Sequence, residues 1–295
     1  MSLEKVEYCP ICKGKSFQPF LLCKDHTVSG ELFHVEKCSN CKMLLTNPRP
    51  IQASVPAYYK SSQYISHQRA AKGLIGHIYV IVRYFTLKWK LSLIKPYLTN
   101  NTLLDVGCGT ASFLLHCKQC GVEVFGVEPS VEARLQATEQ NIRVEESLEK
   151  LPRQKFDVIT LWHVLEHIYD LDATLAVLKE KLADHGIIFI AVPNWQCSDA
   201  SYYKDRWAGY DVPRHVWHFS RQNMSRLVEN AGLKVKHVIP MKLDAYYVSL
   251  LSERNGIDGK NTLSNVANAI KTAYRSNARA EYDNNYSSMI YLVQK

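Results

Sequence analysis

The sequence predicts an α/β fold with a doubly wound, mostly parallel sheet of seven strands, preceded by a small cysteine-rich N-terminal module. Two observations carry this prediction. Apolar segments of strand length alternate with amphipathic helical segments from residue 99 onward, and five of the nine cysteines lie within the first 50 residues. A chain of 295 residues, with 46% hydrophobic and 22% charged residues, is long and apolar enough to bury such a core.

The alternation predicts strands and helices in a definite order along the chain. Strands are expected at 102–106, 122–127, 142–145, 156–161, 186–192, 234–239 and 287–293. Helices are expected between them, at 111–120, 130–140, 172–184 and 221–231. Residues 252–285, rich in Asn, Ser and Ala, are expected to form a partly mobile insertion. The predicted units are therefore the module at 1–50, a basic linker region with an amphipathic helix at 51–98, and the sheet domain at 99–295.

Location and redox state follow from what the sequence lacks. The N-terminus has no apolar signal segment, and Arg83, Lys88 and Lys90 interrupt the best candidate for a membrane-spanning helix. We therefore expect a cytoplasmic protein. In that compartment nine cysteines favour reduced thiols and a metal site over disulfides.

Positive charge is concentrated in one stretch. Residues 37–104 contain ten Lys or Arg and no Asp or Glu, so this stretch carries a charge of +10. The whole chain carries +8, and the remaining residues therefore sum to −2. Apolar residues from Leu74 to Leu93 recur there at helical spacing, with cations roughly opposite. The pattern favours a helix packed on the core with a solvated basic back. The alternative is a surface for RNA, phospholipid head groups or a phosphorylated substrate.

Two CxxC pairs define the N-terminal module. Cys9 and Cys12 form one pair, and Cys38 and Cys41 form the other, 25 residues further on. Four thiolates complete a tetrahedral shell with no open position, which is typical of a structural zinc in a zinc ribbon. A redox-active CxxC is the main alternative, and Cys23 with His26 is a less favoured replacement for one pair.

The strongest motif is an apolar strand that runs into a glycine turn and opens a helix: Leu103-Leu104-Asp105-Val106-Gly107-Cys108-Gly109-Thr110-Ala111. The glycines let the backbone approach a ligand where a Cβ would collide. Glu128 follows the next strand and can accept both hydroxyls of an adenosine ribose. This arrangement is typical of a nucleotide-binding site.

NAD and S-adenosylmethionine both carry that ribose, so other residues must separate them. A dinucleotide site would have a third Gly or Ala where this chain has Ser112, and it would place Asp105 near a pyrophosphate that repels it. S-adenosylmethionine has no phosphate. Its ammonium and sulfonium groups are attracted by a carboxylate, so the residues favour this cofactor.

From about residue 100 to 295 the chain resembles class I S-adenosylmethionine-dependent methyltransferases. The resemblance rests on residues 104–109, 127–130, 156–159, 165–167 and 186–190. With its N-terminal module, the whole chain resembles the broad family that includes the ubiquinone-biosynthesis O-methyltransferases, in a branch carrying a zinc ribbon. This resemblance implies a Rossmann-like sheet whose last strand is antiparallel.

The resemblance also implies which residues bind the cofactor. By motif position, Asp105, Gly107 and Gly109 fall at the methionine end and Glu128 falls at the ribose. Ser147 and Leu148 fall at the adenine, and Trp162 and His163 border the cofactor. An Asp is common in the family at the position of Ser147, so the adenine contact departs from the family pattern.

Residues 163–167 match HxxEH, a zinc-protease signature. Because they directly follow an apolar strand instead of lying within a helix, we do not expect a catalytic metal there. A neutral histidine is the natural general base near pH 7. His167 is one candidate for that base, and capping or packing is its structural alternative.

A second polar cluster, residues 211–220, follows the fifth strand, where ligands bind in open α/β sheets. Arg214 and His215 are candidates for substrate contact, and His215 is a second candidate for the base. The predicted function is methyl transfer to the oxygen or carbon of a small metabolite, a lipid-linked intermediate or a sugar. RNA methylation through the ribbon and the basic helix is one alternative, and a cofactor-binding regulator without catalysis is another. RNA and an anionic membrane surface are not the favoured partners.

Overall fold

The computed structural model describes residues 2–59, 85–256 and 263–295. Its strands within those ranges are β1 (Leu3–Glu4), β2 (Phe17–Lys24), β3 (Leu32–Cys38), β4 (Leu44–Thr46), β5 (Arg49–Pro50), β6 (Thr102–Val106), β7 (Glu123–Val127), β8 (Val144–Glu145), β9 (Phe156–Trp162), β10 (Leu182–Pro193), β11 (Trp217–His218), β12 (Lys234–Pro240) and β13 (Ser288–Gln294). The α-helices with both ends described are α1 (Ser112–Gln119), α2 (Val131–Glu139), α3 (Leu171–Lys181), α4 (Ser198–Tyr203), α5 (Arg221–Asn230), α6 (Asp244–Gly256) and α7 (Leu263–Asp283).

The central sheet has seven strands in the order β12-β13-β10-β9-β6-β7-β8. β13 is antiparallel to both of its neighbours, and the other pairings are parallel. All seven predicted strands are confirmed, as are the four predicted helices, with shifts at their ends. The central strands are mostly apolar because both of their faces are covered. Ile159 lies in the core on one face, and Val158 and Phe189 lie in the core on the other.

The prediction of a partly mobile insertion at 252–285 was wrong about its structure. In its described part, this segment instead holds the end of α6 and all of α7, which pack along each other. Its Ala, Ser and Asn residues are the reason, because small side chains on the buried face of α7 allow close helix packing.

The N-terminal module forms a second, antiparallel sheet in the order β11-β4-β3-β2. Its fourth strand comes from the second half of the chain, since Trp217 pairs with Leu45 and His218 with Leu44. The module is thus hydrogen-bonded into the loop that follows β10. The division of the chain at residues 50 and 98 stays a prediction.

The basic linker is described only at its two ends. Residues Gln52–Tyr59 form a 3-10 helix, and residues 85–94 are helical. Most of the predicted amphipathic helix, from Leu74 to Tyr84, lies outside the described residues. Across 2–59, 85–256 and 263–295 we find no helix that is both long and apolar enough to span a bilayer.

Candidate active site and metal centre

The glycine turn connects β6 to α1 and leaves open space at one position. Gly107 and Gly109 both adopt the left-handed conformation, with φ of +69° and +54°. A Cβ on Gly107 would lie 2.5 Å from the side chain of Val164, whereas a Cβ on Gly109 would meet no atom within 4 Å. Gly107 is therefore required by packing, and Gly109 borders a space that a ligand can fill.

Asp105 is buried near the end of β6, beside this turn. Its side chain is 3% exposed, and the Thr160 hydroxyl donates a hydrogen bond of 2.6 Å to Oδ1. Burial raises the pKa of Asp105 to about 7, although the hydrogen bond from Thr160 and the charge of Lys90 each lower it. The carboxylate is thus costly to ionise here, and a bound cation would stabilise it.

Lys90 is a site residue that the sequence analysis missed. It lies in the helical segment 85–94, and its Nζ sits 4.3 Å from the ring centroid of Trp162. Burial lowers the pKa of Lys90 to about 8, while the charges of Asp105 and Asp244 oppose that shift. Helical spacing assigned Lys90 to a solvated back, and only its contact with the end of β9 brings it into the site.

Glu128 connects the end of β7 to the glycine turn. The backbone N–H of Gly109 donates to its Oε2 and the N–H of Ser130 donates to its Oε1, each at 2.9 Å. Both oxygens retain acceptor capacity for a ligand hydroxyl. Ser147 and Leu148, both half-buried, follow the neighbouring edge strand β8 at the same end of the sheet.

Trp162 is the last residue of β9, and His163 follows it directly. The side chain of Trp162 contacts α1, whereas that of His163 lines a cavity. The ring of Trp162 packs edge-on against Phe113 of α1, with a centroid distance of 5.9 Å. His163 is left-handed, with φ of +58°, and its N–H donates to the carbonyl of Ala191. Its side chain lines a cavity, and its Nε2 is buried without a hydrogen-bond partner in the described chain. A strained non-glycine residue of this kind is often found at a functional site.

Glu166 lies at the centre of a histidine cluster. It is 1% exposed, and neither carboxylate oxygen has a hydrogen-bond partner among the residues that the structure describes. Its Oε1 is 3.5 Å from Nδ1 of His163 and 3.9 Å from Nε2 of His215. Burial alone would raise the pKa of Glu166, but the facing imidazoles outweigh burial and lower it. Donor atoms of Glu166, His167 and His215 come within 4.8 Å of one another.

The two predicted base candidates differ in access. His167 does not line the cavity; its Nδ1 lies 2.9 Å from the Tyr59 hydroxyl and 3.0 Å from the carbonyl of Arg214, and burial lowers its pKa to about 4. His215 does line the cavity. Its Nδ1 is 2.9 Å from the carbonyl of Gly209, which fixes the proton there and leaves a lone pair on Nε2.

Arg214 is fully engaged within the protein. Its Nε and Nη2 donate to the two oxygens of Asp211, Nη2 also donates to Asp25, and Nη1 donates to the carbonyl of Tyr58. The side chain is 1% exposed. The guanidinium therefore joins the N-terminal module to the loop at 211–215.

A cavity of about 810 Å³ opens where β9 ends. Its walls come from the β2–β3 loop of the N-terminal module, from the loop at 205–215 and from α6. Asp211, His215 and Asp244 are among its lining residues, and Oδ2 of Asp244 lies 3.8 Å from Nε2 of His163. The cavity is thus closed in part by the N-terminal module, which periodicity could not foresee.

The four predicted cysteine ligands do come together. The Sγ atoms of Cys9 and Cys41 are 3.4 Å apart, those of Cys12 and Cys38 are 3.5 Å apart, and all four lie within 4.8 Å of one another. Such spacing suits four ligands around one tetrahedral ion. Cys23 is buried in a separate hydrophobic cluster and is not part of this group.

The two CxxC turns share one backbone conformation. Lys13 and Lys42, each directly after the second cysteine, are left-handed, and their N–H groups donate to the carbonyls of Cys9 and Cys38. Helix α5 holds both turns, since Asn223 donates to the carbonyl of Cys41 and Asn230 to that of Ile11. The two turns thus present their cysteine pairs to each other in the same way.

The HxxEH segment has the context that the sequence predicted. It begins at the end of β9, and Leu165–His167 is a single 3-10 turn instead of the middle of an α-helix. That arrangement does not match the helical zinc-protease motif.

Comparisons with known proteins identify the family of the chain. A family model for a methyltransferase domain matches residues 81–238, which is more than half of the chain. The ubiquinone biosynthesis O-methyltransferase of Histophilus somni is 35% identical over 111 residues, covering 33% of this chain and 47% of that protein. That of Pasteurella multocida is 32% identical over 116 residues, covering 33% and 48%. The chain thus spans about half the length of these curated relatives.

A solved structure shows the same fold. The magnesium protoporphyrin IX methyltransferase of Synechocystis, with bound SAH, matches with a TM-score of 0.51 at 13% identity, covering 83% of this chain and 100% of that one. The sheet order and the glycine turn are those of the class I methyltransferase fold. The chain belongs to the methyltransferase-domain family whose model it matches.

Proposed function

We propose that this methyltransferase acts on an oxygen or an acidic carbon of a small acceptor bound in the cavity beside His163. One observation carries the proposal: the cavity opens at His163, directly beside Trp162, whose ring contacts the glycine-turn helix. A methyl group held at the glycine turn would therefore lie next to a polar space of about 810 Å³. That volume suits a small molecule.

Cofactor binding is assigned to the residues at the carboxyl ends of β6, β7 and β8. We assign Asp105, with Gly107 and Gly109, to the methionine end and Glu128 to the ribose. Bound S-adenosylmethionine would supply a methyl group activated by its sulfonium. Burial makes Asp105 a strong partner for an ammonium group, and the N–H of Gly109 already orients Glu128. Ser147 and Leu148 stay assigned to adenine.

Lys90 extends this assignment. Its ammonium is held at Trp162, where the charges of Asp105 and Asp244 both act on it. A cation in that position would attract the carboxylate of the methionine moiety. The proposed cofactor site therefore includes a residue from the basic linker.

The proton acceptor is proposed to be His163 or His215, because both line the cavity and both face Glu166. Each imidazole can take a proton from an acceptor hydroxyl while Glu166 stabilises the resulting cation. His167 and Arg214, which the sequence suggested as catalytic, are proposed as positioning residues. His167 lies outside the cavity lining, and Arg214, although it lines the cavity, is held by Asp211, Asp25 and the carbonyl of Tyr58.

The four cysteines are proposed to hold one structural zinc. Four thiolates leave no position for substrate or water, so the ion would serve the fold. The ribbon would then fix the β2–β3 loop, which forms one wall of the cavity. A small acceptor is favoured over RNA because the reactive position lies inside this walled space.

Calorimetric titration of S-adenosylmethionine and of NAD, with zinc measured on the same sample, tests the proposal. We expect binding of S-adenosylmethionine alone and one zinc per chain. Phenolic, sugar and lipid-linked acceptors would then be screened by release of S-adenosylhomocysteine. Binding of NAD, or of neither cofactor, would contradict the proposal, and strong but inactive binding across all acceptor classes would favour a regulator.

A further inference from the structure

Helix α7 buries its small side chains and exposes its large apolar ones. Its buried face consists of Asn265, Ala269, Thr272, Ala273, Ser276 and Ala280. On the opposite face stand Leu263, Ile270, Tyr274 and Tyr282, which are 92%, 54%, 67% and 90% exposed. A helix that packs only on its own domain shows the reverse arrangement, with the bulky apolar residues inside.

The exposed apolar residues form a stripe along one side of α7. At the helical angle per residue, Leu263, Ile270, Tyr274 and Tyr282 fall within an arc of roughly 120°. Ala267 and Ala278 lie within the same arc, as do Lys271 and Glu281, and Glu281 pairs with Lys242. The turn before α6 lies close to this helix, because Asn277 donates to the carbonyl of Lys242, and that turn carries the exposed Leu243 (74%). An apolar surface of this extent on a soluble fold usually marks an interaction site.

Cations follow one edge of the stripe. Lys271, Arg275 and Arg279 recur every four residues along α7. Arg279 pairs with Asp283, but Lys271 and Arg275 form no ion pair with any residue in the described ranges. Two uncompensated cations therefore stand beside exposed tyrosine and aliphatic side chains. This is the pattern of helices that lie in the interface of an anionic bilayer.

We propose that the α7 stripe docks the protein on an anionic phospholipid surface. The stripe would enter the head-group region, and Lys271 and Arg275 would face lipid phosphates. The charge argues against a second copy of the chain, since a two-fold pairing of this face would bury the same excess of cations from both copies. Tyr247 of α6, 51% exposed, also lines the cavity.

Vesicle flotation of the full-length, zinc-loaded protein tests the proposal. We expect binding to vesicles of equal parts phosphatidylcholine and phosphatidylglycerol, weak binding to phosphatidylcholine alone, and release by added NaCl. Ile270→Ser combined with Tyr274→Ser should weaken vesicle binding by about tenfold or more, because two apolar groups no longer enter the bilayer. Lys271→Glu with Arg275→Glu should weaken it similarly and reduce its salt dependence. Leu32→Ser, at a ribbon residue that is 60% exposed, is the matched control and should bind normally.

Three results would overturn the proposal: no flotation with either vesicle, unchanged flotation of both double variants, or a dimer in sedimentation velocity that Ile270→Ser with Tyr274→Ser dissociates. The last result would assign the stripe to a second copy. Thermal unfolding followed by circular dichroism verifies that each variant is folded. Because flotation needs neither cofactor nor acceptor, its failure is separate from a failure of the proposed methyl transfer.

Discussion

Arg214 and Asp25 form an ion pair of 3.0 Å whose side chains are 1% and 0% exposed. Asp25 lies in the β2–β3 loop of the N-terminal module, and Arg214 lies in the loop at 211–215, which comes after α4. Asp211 and the carbonyl of Tyr58 take the remaining hydrogen bonds of the guanidinium. Because buried charges are stable only when all their partners are present, the fold of the ribbon and the shape of the cavity depend on each other.

Loss of the Asp25 charge should therefore destabilise the whole protein. For Asp25→Asn we expect the free energy of unfolding, measured by urea denaturation at pH 7, to fall by about 3 kcal/mol. Burial alone would raise the pKa of Asp25, but Arg214 and Ser29 outweigh burial and lower it. The stabilisation is thus complete above the ordinary carboxyl pKa of about 3.9 and is lost as the pH falls through the lower folded value.

The matched control is a second ion pair between the same two parts of the chain. Lys13 of the ribbon pairs with Asp172 of α3, and both side chains are 60% exposed. Asp172→Asn should cost only about 0.5 kcal/mol or less, because solvent screens exposed pairs. Equal losses in the two variants would show that burial of Arg214 is not what makes the contact strong.

Zinc content should depend on the four clustered cysteines. Cys38→Ser should abolish the single zinc per chain and lower the thermal midpoint, since a structural zinc contributes to folding. Cys120→Ser, at an exposed cysteine outside the ribbon, should retain zinc and stability. Elemental analysis of the purified variants measures this. Loss of zinc in Cys23→Ser but not in Cys38→Ser would instead favour the alternative ligand pair of Cys23 and His26.

The sequence predicted what is local and missed what is distant. The strands and the glycine turn were predictable because apolar runs and left-handed glycines act within a few residues. Arg214 was assigned to the substrate because its partner Asp25 is 189 residues away and sequence spacing cannot bring them together. Lys90 was assigned to solvent for the same reason. Glu166 was read only as part of a motif, yet its position among three imidazoles is set by the packing of separate loops.

Cofactor affinity should depend on pH through Asp105. Burial raises the pKa of this carboxyl to about 7, so it is largely protonated at pH 6 and largely ionised at pH 7.5. An ammonium group binds the ionised form, and we therefore expect S-adenosylmethionine to bind roughly fivefold or more weakly at pH 6 than at pH 7.5 by calorimetry. Asp105→Asn should bind weakly at both values. Equal affinity of the unmodified protein across this range would remove Asp105 from the methionine end.

The identity of the base should appear in the pH dependence of turnover, measured with a hydroxyl acceptor found in the screen. Burial alone would lower the pKa of His163, but the carboxylates of Asp244 and Glu166 outweigh burial and raise it. If His163 is the base, turnover should rise with pH through a value above the ordinary histidine pKa of about 6.5. His163→Asn should lower kcat about 100-fold or more and remove that rise, while the affinity for S-adenosylmethionine stays unchanged.

His215 and His167 provide the comparison that makes this assignment decisive. His215→Asn keeps a donor for the carbonyl of Gly209, so a large loss of kcat with loss of the pH dependence in this variant would transfer the base to His215. His167→Asn should reduce stability more than kcat, because His167 lies outside the cavity lining and is bound to Tyr59 and to the carbonyl of Arg214. As a positioning residue, His167 would act on the acceptor only through its neighbours. A pH dependence of turnover that is lost only in His167→Asn would contradict this role.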